Sequence, residues 1–241
     1  MALNALTATK EEDVLPLRDF MPTRRFPVLT VGIIVVNIVV FAYELLAEAG
    51  GTLDQTFYTM GVVPFKVTHT FGPAVAFSFL TSMFLHGGFM HIAGNMLYLW
   101  IFGNNVEDSM GRLRFLVFYL MTGVIASAAQ VFASPNSRLP SIGASGAIAG
   151  VLGAYIVLFP RARVQTLLFL GYFARVANLP ALLVLGFWFV LQLFSGLMSF
   201  GMTQTGGVAW FAHIGGFVAG LVLVRLFTLG RRQNHWEEWY R

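Results

Sequence analysis

Long apolar runs broken by short polar and basic intervals make up most of the chain. A helix needs ~20 mostly apolar residues to cross a ~30 Å hydrocarbon core. Six stretches reach or approach that length: Phe26–Ala47, Phe89–Gly103, Leu113–Phe132, Ser145–Phe159, Val176–Met198 and Gly207–Leu229. The pattern predicts an all-α polytopic membrane protein, with one six-helix domain over residues 26–230 between tails at 1–25 and 231–241. Two further stretches are apolar but too short or too interrupted for a span. Ala74–Leu85 is broken by Ser78, Thr81 and Ser82, and Val164–Phe173 follows the fourth run. Both read as interfacial or re-entrant segments.

Charge then orients the spans. With the N-terminus inside, the inner loops and tails carry Lys10, Arg18, Arg24, Arg25, Arg112, Arg114, Arg161, Arg163, Arg175, Arg225, Arg231, Arg232 and Arg241. The outer loops carry only Lys66 and Arg138. Thirteen against two is a strong positive-inside bias. The net charge of +4 therefore belongs to topology and to anionic headgroups of the lipid bilayer, and no nucleic-acid partner is expected. Composition agrees, at 57% hydrophobic and 11% charged with a mean hydropathy of +0.72. The absence of cysteine excludes disulfides, a thiolate metal site and a cysteine nucleophile. Glu11, Glu12, Asp13 and Asp19 among the first 25 residues do not fit a cleavable signal. Short tails and a minimal layout suggest a prokaryotic plasma membrane, with both termini cytoplasmic.

Candidate chemistry starts in the fourth run. Pro160 ends that helix, and the stretch Ser134-Pro135-Asn136-Ser137-Arg138-Leu139-Pro140-Ser141 before it is not helical. The helix then starts at about Ile142–Ser145. Ser145 to Phe159 is 15 residues, or ~22 Å, about 8 Å short of the hydrocarbon thickness. Ser145 is therefore expected below the outer surface, at the floor of a wet pit. It lies in Gly143-Ala144-Ser145-Gly146, at a helix N-terminus whose free amides could hold an oxyanion. Gly143 and Gly146 permit tight turns and close approach. The plain alternatives are helix packing through Gly146, Gly150 and Gly153 and a capping serine.

His213, in Ala212-His213-Ile214-Gly215-Gly216, lies about six residues into the sixth run, near the depth of Ser145. A neutral imidazole there can accept a proton. No acidic residue occurs between Asp108 and Glu237, so no acid from that half orients the ring. His91 and Asn95, four apart, share one helix face and carry N–H donors. A metal at His86 and His91 is a weaker reading, because the local sequence supplies neither a carboxylate nor a His-Glu-x-x-His pattern. A transporter would be expected to show intramembrane acids or a repeated half; no acid lies between Asp108 and Glu237, and no half is repeated.

Together these motifs resemble those of the rhomboid family of intramembrane serine proteases. The resemblance covers His86, His91 and Asn95, and the inner-loop sequence Glu107-Asp108-Ser109-Met110-Gly111-Arg112 with Phe115. It continues with Gly143-Ala144-Ser145-Gly146 and with Ala212-His213, Gly216 and Gly220. It implies Ser145 as nucleophile and His213 as base, with His91, Asn95 and the Ser145 amide stabilising the oxyanion. His86, Gly143, Gly146, Gly216, Glu107 and Arg112 are implied in support. It implies transmembrane protein substrates and no metal or cofactor. The alternative is a catalytically silent, membrane-protein-binding relative. The Trp-Arg pair that some members carry in the first outer loop is absent, and Ala149 stands where some carry a tyrosine under the histidine. The family likeness also makes the fifth run, bulky at Phe187, Trp188 and Phe189, the lateral gate and residues 200–207 the lid.

Overall fold

The computed structural model describes residues 14–170, 173–199 and 208–231. The expected lid, residues 200–207, lies outside them. The chain opens with strand β1 (Val14–Asp19), followed by helix α1 (Val28–Ala49). The long connection after α1 folds into short helices α2 (Leu53–Met60), α3 (Pro64–His69) and α4 (Pro73–Thr81), with a 3-10 turn at Ser82–Phe84. Helix α5 (Phe89–Tyr98) passes through a π turn at Leu99–Gly103 into α6 (Asn104–Met110). Then come α7 (Arg112–Ala133), α8 (Ser145–Leu158), strands β2 (Arg163–Leu170) and β3 (Phe173–Pro180), α9 (Ala181–Ser199) and α10 (Trp210–Thr228).

The protein is a mostly helical integral membrane protein. Among the described residues, α1, α7, α9 and α10 are each long and apolar enough to cross a bilayer. The other two expected spans take different forms. Residues 73–84 and 89–110 are a bent pair, turning by 80° at the break. Helix α8 is a shorter apolar helix of 14 residues. The second expected span also runs past Gly103 to Met110, so Glu107 and Asp108 lie on helix rather than in a loop. Gly111 ends that rod with φ +80°, a conformation that disfavours any other residue.

The largest departure from expectation is on the side where the basic residues gather. Val164–Phe173 forms no interfacial helix. It contributes β2 and the start of β3, in an antiparallel sheet of order β1-β2-β3. Val164 and Thr166 are fully buried while Arg163 faces outward, a period of two that suits a half-buried strand. Pairing of Arg163 with Pro180 holds residues 175–180 in strand, so the fifth span begins at Ala181 rather than Val176.

The core is built around α8, packed between α7 and α10. A side chain on Gly216 would overlap the Gly146 carbonyl, one on Gly220 the Gly150 carbonyl, and one on Gly153 the Phe217 carbonyl. These glycines bring the α8 and α10 backbones together, which in lipid replaces the missing hydrophobic drive with close packing.

Candidate active site

Ser145 is the first residue of α8, and no side chain caps that helix end. The hydroxyl is directed elsewhere: Ser145 Oγ lies 2.8 Å from His213 Nε2. His213 sits one turn into α10, so the contact between the two glycine-faced helices brings the pair together. The other ring nitrogen, Nδ1, lies 2.6 Å from Gln192 Oε1 on α9. Ring contacts come from Trp188, at 5.7 Å between centroids, and Trp210, at 6.4 Å and perpendicular. Ala149 is wholly buried in α8, so the aromatic walls of this histidine come from α9 and α10.

The loop that presents Ser145 is pinned by the connection that follows α1. Val62 and Ser141 exchange backbone hydrogen bonds, Phe65 N–H donates to the Ser137 carbonyl, and Gly143 N–H donates to the Ser82 carbonyl. Gly143 has φ +123°, and a side chain there would stand 2.8 Å from His91 Nε2 and 3.5 Å from Ser145 Oγ. Glycine is thus required by both backbone conformation and space. The same distances place His91 Nε2 at the edge of the Ser145 site. His91 Nδ1 accepts the Gly87 N–H at 3.2 Å, which leaves the ring proton on Nε2, facing the site as a donor. Asn95 Nδ2, one turn on, is a buried donor with no hydrogen-bond partner among the described residues. A cavity of about 20 Å³ lies beside Ser145, lined by Ser127, Ser141 and Gly143 among others, enough for about one water.

The supporting residues occupy three different places. His86 is buried beside His91, their rings edge to face at 5.1 Å. Its backbone N–H donates to the Glu44 carboxylate at 2.9 and 3.2 Å. A carboxylate therefore does approach this histidine pair, from α1, which the local sequence did not suggest. It binds the main chain, and among the described residues no three His, Cys, Asp or Glu side chains are grouped to hold a metal ion. Gly146 faces Ala126 and Ala212, and Gly216 faces Gly146, so both serve helix packing. Glu107 lies at the other end of the molecule. Its carboxylate accepts the Leu29 N–H at 3.0 Å and the Thr30 N–H and O–H at 2.8 Å each, satisfying free amides at the start of α1. Arg112 is exposed in the first turn of α7. In the fifth span Phe187 points outward, while Phe189 stacks on Phe217 of α10 at 4.3 Å.

Gln192 and Glu44 were missed by sequence reasoning. Gln192 did carry a signal, as the only amide side chain in the apolar run 181–199.

Comparison with known proteins agrees with this architecture. The Rhomboid domain family profile matches residues 73–229. The chain belongs to the rhomboid family. It is 37% identical over 137 residues to the Rhomboid protease GluP of Bacillus subtilis, covering 56% of this chain and 26% of that protein. It is 29% identical over 180 residues to Rhomboid-like protein 11, chloroplastic, of Arabidopsis thaliana, covering 73% and 60%. It is 36% identical over 96 residues to Rhomboid protein 1, mitochondrial, of Saccharomyces cerevisiae, covering 38% and 28%. The matched part of the chain thus spans between about a quarter and three-fifths of these relatives.

Proposed function

We propose that the protein is an intramembrane serine endopeptidase that cuts other membrane proteins in or beside a transmembrane segment. The observation that carries this reading is the Ser145–His213 hydrogen bond at the N-terminus of a buried helix. His213 Nε2 takes the serine proton as Oγ attacks a peptide carbonyl. The oxyanion that forms is stabilised by His91 Nε2–H, Asn95 Nδ2–H and amides of the first turn of α8. His213 then gives its proton to the leaving amine, and water from the adjoining cavity hydrolyses the acyl-enzyme. The protein's own side chains supply every proton transfer in this sequence. His86 and Glu44 act on the loop that orients His91.

On this reading the chain spans the membrane six times, with α8 as the short central span and the site opening to the outer side of a bacterial plasma membrane. A helical substrate must unwind locally before its peptide bond is exposed, so small or helix-breaking residues near the outer face favour cleavage. Substrates reach the site past α9.

The test is cleavage of a single-span substrate by purified protein in liposomes, beside Ser145→Ala and His213→Ala. Cleavage by the wild type and a loss of at least about 10³-fold in both variants is the expected result. Equal cleavage by all three would assign the activity to a contaminant. No cleavage, together with no fluorophosphonate labelling of Ser145, would favour a silent, substrate-binding role.

A further inference from the structure

We propose that Gln192 is the positioning residue for the base: its side-chain oxygen takes the Nδ1 proton of His213 and holds Nε2 bare toward Ser145. This rests on the reading of Ser145 and His213 as nucleophile and base. The argument follows the protons. A neutral imidazole carries one N–H, and the two ring nitrogens have one close partner each, Gln192 Oε1 at 2.6 Å and Ser145 Oγ at 2.8 Å. If the carboxamide oxygen faces Nδ1, the ring proton sits on Nδ1 and Nε2 is free to accept the serine hydroxyl. If the amide were turned, its NH₂ group would drive the ring proton to Nε2. Nε2 would then donate to Ser145, and the serine proton would have no acceptor. Only the first arrangement provides a working base.

The choice of an amide fits the surroundings. Gln192 is wholly buried in an apolar helix that contains no acid. A carboxylate there would carry a large desolvation cost before any imidazolium formed. A carboxamide orients the ring while remaining neutral. Trp188, one turn before Gln192, flanks the same ring in a tilted contact, so α9 holds the histidine both through Nδ1 and through an aromatic neighbour. The base is therefore aligned by a different helix from the two that carry the reacting atoms.

The tautomer can be read directly. ¹⁵N-histidine-labelled protein in lipid nanodiscs, with the His213 signals assigned by comparison with His213→Ala, should show His213 protonated on Nδ1 in the wild type. In Gln192→Met, which keeps size and apolar fit but lacks the acceptor, the Nε2 tautomer should become populated. kcat for a single-span substrate should fall about 10- to 100-fold with KM within about twofold. Wild-type His213 protonated on Nε2 would overturn the proposal whether or not the protein cleaves or a variant folds. So would a folded Met variant with unchanged tautomer and kcat, or one whose kcat falls while the Nδ1 tautomer stays as in the wild type. A wild type that neither cleaves nor labels at Ser145, yet shows the Nδ1 tautomer, would overturn the protease reading and leave the positioning contact standing.

Discussion

Helix α8 and helix α9 both serve the Ser145–His213 site, and they are held in place by opposite means. Eleven of the 14 residues of α8 are buried, and its backbone lies against α10 with no side chain between. Only five of the 19 residues of α9 are buried. Leu183, Val190 and Leu197 on its outer face are all more than half exposed. Ser145 and His213 thus sit on a locked pair of helices, while Gln192, in contact with His213 Nδ1, sits on a helix with one packed edge. In lipid a helix gains little from burying apolar surface, so the difference lies in backbone approach and polar contacts. On the proposed reading, the rigid part fixes distance and the loosely packed part is the one that responds to a substrate.

The sharpest way to break that contrast is to make a similar change in each helix pair. Gly220→Val would drive a side chain into the Gly150 carbonyl. It should cost about 3 kcal/mol or more, because neither backbone can move aside. Gly186→Ala meets nothing within 4 Å on α9 and should be neutral, or stabilising by about 0.5–1 kcal/mol through helix propensity. Thermal unfolding in one detergent measures both. Similar midpoints for the two variants would mean that the α8–α10 contact is not the locked part of the fold.

A crosslink sharpens the comparison by fixing the loose helix, and the reduced form of the same double variant controls for the loss of the Trp210 ring beside His213. A Cβ on Gly196 of α9 falls 3.4 Å from Trp210 Cβ on α10, close to the Cβ separation of a disulfide, about 3.5–4.5 Å. The chain has no cysteine of its own, so Gly196→Cys with Trp210→Cys gives a single defined bridge. Oxidised, it should keep fluorophosphonate labelling of Ser145, since α9 still holds His213. Cleavage of a single-span substrate should fall at least about tenfold and return on reduction. Equal cleavage in both redox states would show that α9 need not move for a substrate to reach Ser145.

The same contrast explains what could be read from the chain. The long spans are local features, and apolar length alone marks them. The start of α8 is equally local, bracketed by Pro160 and the stretch 134–141, and the glycine spacing on α8 and α10 marks surfaces made for contact. Partners that meet only through tertiary structure left weaker traces. Glu107 caps a helix 77 residues away, and Glu44 reaches His86 across 42, so neither carboxylate announces its target. The sheet was hidden because Leu167, Leu168 and Phe169 form an apolar run that also suits a membrane segment. The better signal was Gly171-Tyr172 between two eight-residue strands, an interval of hairpin length with glycine first.

That sheet anchors the N-terminal end of α9. Strand β3 leads directly into the helix, and Ala181 N–H donates to the Ala162 carbonyl at 2.8 Å. Outer strand β1 is held through Asp19, whose Oδ2 accepts Asn105 Nδ2–H at 2.6 Å and the Tyr155 hydroxyl at 2.7 Å. Burial pushes the Asp19 carboxyl up to about 6, outweighing the Tyr155 hydrogen bond that favours the ionised form. The folded strand therefore binds its proton more tightly than the unfolded strand does. Stability from this group is greatest at low pH and declines as pH rises from about 4 through 6. Within that range the opened strand is ionised in water while the folded one still holds its proton, and above it both are ionised and the loss levels off. Amide-exchange protection of β1 should fall about tenfold between pH 5 and pH 7.5 after correction for intrinsic exchange. Asp19→Asn cannot ionise and should flatten that dependence while α8 and α10 stay protected at both pH values. A β1 whose protection is unchanged across this range in the wild type would mean that the carboxyl is already ionised in the fold. The anchor of α9 would then be as insensitive to pH as the locked helix pair beside it.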